Sequence, residues 1–160
     1  MKFVSRVMIL VLGLVIMGVV LAASPHFVRG PTASLTSDGD AVISWKEAGL
    51  GDTTTVHYVA SADVSGLYQC VNKGGNCPSA ANKQEFHGPV FAEGTFASGK
   101  NGSITASLTL QAPDPTLQCP GKQRVELVRV TFANMALESS ASGAAAVDPS
   151  TLSVSGFECP

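Results

Sequence analysis

Ser103-Ile104-Thr105-Ala106-Ser107-Leu108-Thr109-Leu110 alternates small polar and apolar side chains without a break. Successive side chains of an extended chain point to opposite faces. Ile104, Ala106, Leu108 and Leu110 therefore share one side, and Ser103, Thr105, Ser107 and Thr109 the other. That pattern predicts an antiparallel strand with one face on a core and one in water. The same period recurs on either side of it. Ala41, Ile43 and Trp45 oppose Val42, Ser44 and Lys46, and Val56, Tyr58 and Ala60 oppose Thr55, His57 and Val59. Val125 to Phe132 begins apolar on both faces, as a central strand does, while Leu152 and Val154 mark a last strand. Gly156 before Phe157 predicts a bulge. Ser139 to Ala146, rich in Ala, Ser and Gly, reads as a loop or one short helical turn.

Turn chemistry separates these runs: Ser37-Asp38-Gly39-Asp40, Gly49-Leu50-Gly51-Asp52, Gly74-Gly75-Asn76, Ser98 to Gly102 and Ala112-Pro113-Asp114-Pro115. Asn101-Gly102 is the strongest hairpin cue. Roughly seven or eight short strands at this spacing predict an all-β fold, a two-sheet antiparallel β-sandwich of immunoglobulin-like architecture. A small β-barrel is the alternative.

Residues 1–23 read as a signal peptide. Lys2 and Arg6 form a basic head, an apolar run extends from Val7 to Ala23, and small residues precede Ser24-Pro25. The run is shorter than the roughly 20 residues of a spanning helix. Residues 24–160 then form a single secreted domain, extracellular and with no membrane segment after cleavage. Without Lys2 and Arg6, eight cations face twelve acids, a formal charge of −4. No run of like charge supplies a nucleic-acid or anionic-lipid footprint, so neither is an expected partner.

Cys70, Cys77, Cys119 and Cys159 are even in number and spaced too widely for a zinc site. Exported, they make two disulfides with three possible pairings. On the chain-entropy model, Cys70–Cys119 with Cys77–Cys159 closes two long loops worth about 4 kcal/mol each, against about 2.5 for a short Cys70–Cys77 loop. Geometry decides among the three.

Two resemblances bear on the fold. Ser65-Gly66-Leu67-Tyr68-Gln69-Cys70 resembles the tyrosine-corner segment of an immunoglobulin domain, but no cysteine precedes Cys70 and Trp45 lies between no cysteine pair. A true immunoglobulin domain is therefore not expected. Trp45-Lys46-Glu47-Ala48-Gly49-Leu50-Gly51, Cys70 to Pro78 and Ala81-Asn82-Lys83 are similar to a family of small secreted bacterial proteins with no assigned activity. Gly102 to Leu110, Cys119-Pro120-Gly121 and Val125 to Asn134 continue the similarity, which covers roughly residues 33 to 137. It implies export, a β-fold and a Cys70–Cys119 pair, with Cys77–Cys159 as an added staple. It carries no catalytic residue.

No G-x-S-x-G, H-E-x-x-H or P-loop occurs, and no cofactor or metal ligand set is expected. His26 falls at the start of the exported chain, His57 on a solvent face, and His87 before the Gly88-Pro89 turn. Glu47 and Asp52 bracket a turn, and with His57 they define the alternative of a small secreted hydrolase. Asn72 to His87 forms a long polar connection, of the kind that binds something or covers an edge. Asn72, Asn76, Asn82 and Lys83 are its candidate binding residues, suited to a cell-surface glycan or a protein. The function expected is thus a non-catalytic surface or binding protein rather than an enzyme. A self-associating structural envelope or coat component is the third class.

Overall fold

The computed structural model describes residues 24–74 and 82–156, and within them period-two alternation becomes eight β-strands and no helix. They are β1 (His26–Leu35), β2 (Ala41–Ala48), β3 (Thr55–Val71), β4 (Lys83–Ala97), β5 (Ile104–Leu110), β6 (Arg124–Ser139), β7 (Gly143–Ala146) and β8 (Leu152–Ser155). One sheet has the order β1-β2-β5 and the other β4-β3-β6-β7, all pairs antiparallel, with β8 on the β6 edge that β7 also uses. The sheets do not close into a barrel. The architecture is an immunoglobulin-like β-sandwich in which the fourth strand sits beside β3, whereas the constant-domain arrangement places it with the first, second and fifth.

The core lies between the sheets and is built from the predicted inward faces: Ala41, Ile43 and Trp45 from β2, Val56, Tyr58 and Ala60 from β3, Ile104 and Leu110 from β5. Trp45 and Tyr58 pack at 4.7 Å between ring centroids, and Phe96 of β4 meets both at 5.7 and 5.9 Å. Such pairs add about 0.5–1.5 kcal/mol each to the burial of their area.

β6 is central, as its two-sided apolar start predicts, but its alternation is broken twice. Its pairing with β3 shifts between Leu67/Tyr68 and again between Ser61/Asp63. Each extra residue moves the inward positions by one, from Leu127 to Val130 and Phe132, then to Met135 and Leu137. The second bulge is held by Asn134, whose backbone is left-handed (φ 53°) and whose Nδ2 donates to Asp63 Oδ2 at 2.8 Å.

Several expectations are corrected. Ser139 to Ala146 is neither loop nor helical turn: it ends β6, turns at Ser140 and returns as β7. Asn101-Gly102 does not join a hairpin, because β4 and β5 lie in different sheets and the turn crosses between them. Gly102 has φ 64° and packs against the Gly51 backbone, so the residue pair is used for close approach. His26 begins β1 and His87 lies inside β4, because Gly88-Pro89 continues the edge strand rather than turning. Phe157, Cys77, Cys159 and Asn76 lie outside the described residues, so the Gly156–Phe157 bulge and the second disulfide do too.

Cys70 and Cys119 form a disulfide across 49 residues, tying the end of β3 to the connection between β5 and β6. On the chain-entropy model a loop of this length is worth about 4 kcal/mol.

Gly66 marks the tightest packing between neighbouring strands. A Cβ there would sit 2.2 Å from the Phe86 ring of β4 and 2.6 Å from the Arg129 carbonyl of β6. Gly66→Ala is expected to lower stability in urea by about 1–3 kcal/mol or more, since it overpacks against backbone on one side.

Candidate functional site

Glu47 is the one carboxyl in the core of the described residues, with no exposed surface. Alternation along β2 puts residue 47 on the same inward face as Trp45. Its Oε2 accepts from the Tyr58 hydroxyl at 2.6 Å and from the Ser139 hydroxyl at 2.9 Å. Ser139 Oγ in turn accepts from the Ala141 and Ser142 amides, which fastens the β6–β7 turn. One carboxyl therefore links β2 of the first sheet to β3 and β6 of the second. A buried carboxyl without such donors costs several kcal/mol. Glu47 Oε1 and Trp45 Nε1 are buried without a hydrogen-bond partner in the described protein.

The residues proposed for hydrolysis do not converge. His57, one position from inward Tyr58, is on the outer face of the five-stranded sheet. Its Nδ1 lies 3.2 Å from Thr95 Oγ1 and its Nε2 3.6 Å from Glu93. Asp52 is exposed in the β2–β3 turn. Glu47 faces the core, so the three share no site. No group of three or more metal-ligating side chains occurs among the described residues.

The candidate binding residues fare differently. The connection from β3 to β4 is shorter than the polar run predicts, because Lys83 to His87 already belong to β4. Lys83, paired with Gln69, is exposed at the strand's start. The Asn82 carbonyl accepts from the Cys70 amide at 3.0 Å and closes the loop base. Asn72 Oδ1 accepts from the Gly74 amide and shapes the turn that leaves β3. Asn72 and Lys73 also face a second segment that the polar run did not flag. The disulfide brings the turn Pro120-Gly121-Lys122-Gln123 against them, and together they line an open cleft of about 490 Å³. Gln123 Oε1 is buried there without a protein partner. Lys73 and Lys122 make no ion pair among the described residues, where the only ion pairs are His57–Glu93, Arg124–Glu126 and Arg129–Glu85. The sequence signal for this half was Cys119 itself, which places whatever follows it beside Cys70.

Comparison with family models, with curated proteins and with solved structures finds no match to the chain. The functional reading therefore rests on the side chains and their geometry.

Burial, and next the hydrogen bond to Glu47, push the Tyr58 hydroxyl far above the usual phenol range. Burial raises Tyr68 as well, with Asp114 and Asp40 adding to it. An unfolded chain releases these protons near pH 10 while the native chain retains them, so stability falls as pH rises past about 10. Tyr58→Phe is expected to make that alkaline fall shallower. At neutral pH it should cost about 1–3 kcal/mol, because it removes one of the two donors that the buried Glu47 Oε2 accepts from. Urea unfolding from pH 7 to 11 measures both.

Proposed function

We propose that this chain is an exported, disulfide-stapled binding domain without catalytic activity, and that its ligand site is the cleft beside the Cys70–Cys119 bond. The observation that carries this reading is the cleft's construction. A covalent bond holds two turns together, and their amide and ammonium groups, Asn72, Lys73, Lys122 and Gln123, line one concavity. Such groups suit the hydroxyls of a cell-surface glycan or the polar surface of a protein, and we favour the glycan.

Export rests on the signal-peptide pattern of residues 1–23, on the resemblance to secreted bacterial proteins, and on the disulfide, which is compatible with an oxidising compartment. A second bond between Cys77 and Cys159 completes the staple in this reading. The dispersal of Glu47, Asp52 and His57 supports binding over hydrolysis. Neither a nucleic acid nor a membrane is a partner in this reading.

A thermal-shift screen of the oxidised protein against neutral cellulose-, xylan- and chitin-derived oligosaccharides tests the proposal. At a hundred times Kd a ligand adds about 2.7 kcal/mol to native stability, several degrees in melting temperature. The combined variant Lys73→Ala, Lys83→Ala, Lys122→Ala should melt within about 0.5 kcal/mol per substitution of the wild type, since all three are exposed. It should also lose the ligand-induced shift. A shift that survives in this variant refutes the cleft as the site.

A further inference from the structure

The outer face of the three-stranded sheet is chemically one-sided. It presents Arg29 and Thr32 from β1, Ser44 and Lys46 from β2, and Thr105 and Ser107 from β5. No strand of this sheet places a carboxylate there. Arg29 and Lys46 stand opposite each other in the β1–β2 register, and neither makes a side-chain hydrogen bond or ion pair among the described residues. Like charges directly opposite in a sheet repel. In a domain with a surplus of acids, an Arg–Lys pair without a counterion is an unfavourable arrangement unless an anion joins it.

The backbone makes room for one. The register shifts between Phe27 and Arg29 and again between Arg29 and Thr32, so two residues, Gly30 and Pro31, oppose Trp45 alone. β1 arches away from β2 over this stretch. Pro31 is anchored on its far side, where its carbonyl accepts from the Asp148 amide at 2.9 Å. Beneath the arch lies a cleft of about 430 Å³, lined by Arg29, Gly30, Thr32, Ser44 and Lys46 among others. A Cβ built on Gly30 meets nothing within 4 Å, so that backbone is open. Bulges that re-aim side chains in this way concentrate beside functional sites.

We propose that this cleft binds an acidic polysaccharide. A carboxylate or sulfate group sits between the Arg29 guanidinium and the Lys46 ammonium, and the sugar hydroxyls lie along Thr32, Ser44, Thr105 and Ser107. Arg supplies a planar fork that matches an oxyanion, and Lys a point charge. The hydroxyl rows favour a sugar polymer over the other polyanions. Trp45 also lines the cleft, but it is only 3% exposed and its ring packs on Tyr58 and Phe96 in the core, so it offers no free face to stack a nucleic-acid base. Two cations are also too few for an anionic membrane surface, which recruits clusters of four or more. This site is separate from the cleft at the disulfide, and either can fail alone.

The test is titration calorimetry of the oxidised domain with polygalacturonate and heparin, with neutral dextran and phosphatidylglycerol vesicles as the other arms. The proposal expects binding of at least one acidic polymer, weakening as salt is raised, and none of dextran. Arg29→Gln and Lys46→Gln should each weaken it tenfold or more, whereas Lys73→Gln with Lys122→Gln should leave it within twofold. Without ligand, each of the first two variants should melt about 1–3 °C higher, because the like-charge pair is relieved. Unchanged affinity in Arg29→Gln and Lys46→Gln overturns the proposal. Loss of binding through Lys73 and Lys122 instead, or vesicle binding as tight as polymer binding, overturns it too.

Discussion

A single carboxyl holds the two sheets in register. Glu47 reaches from β2 to Tyr58 on β3 and Ser139 on β6, and those donors come from the two strands that carry most of the second sheet's pairing. Apolar packing between sheets is tolerant of sliding, because Val, Leu and Ile fit one another in many arrangements. A buried carboxyl tolerates none of this, since displacement strands a polar group in the core. The Trp45–Tyr58–Phe96 cluster surrounds this link and keeps water from it.

With the core so specified, variation moves to the faces and ends. The β1 arch opens a cationic cleft on one outer face, while the other face carries Glu93, Asp63 and Glu138. Phe91 stands 68% exposed on that second face, a single apolar side chain in a polar field. At the end of the sandwich the Cys70–Cys119 bond, beside the fully buried Val71, ties two polar turns together. Sheet edges are guarded as well: Pro89 leaves the β4 edge one backbone donor short without breaking the strand, and the opposite edge is split between the short β7 and β8.

Strands with clean alternation were legible from the residues alone. β2, the first half of β3 and β5 lie where their periods place them, with the predicted side inward. β1 was hidden because its two bulges erase the period. The start of β4 was hidden by its polar outer face, Lys83, Glu85 and His87, and β7 by alanines that show no side. Of the candidate sites, Asn72, Asn82 and Lys83 do lie near one end of the fold, but their partners from 120 to 123 arrive only through the disulfide. Glu47 was misread as a turn acid because residue 47 looks like the end of a strand, when the parity of Trp45 already put it inside. A carboxyl two residues after an inward tryptophan is a core group or a costly error.

The most direct measurement of this account is the cost of Glu47→Leu in two backgrounds. In the otherwise native chain it leaves the Tyr58 and Ser139 hydroxyls buried without their acceptor, and urea unfolding should show a loss of about 1–3 kcal/mol for each stranded hydroxyl. In the Tyr58→Phe, Ser139→Ala background the same substitution strands nothing and should cost at least about 1–2 kcal/mol less, the coupling expected of residues in one network. Equal costs in the two backgrounds would mean that Glu47 does not join the sheets, and would contradict the account.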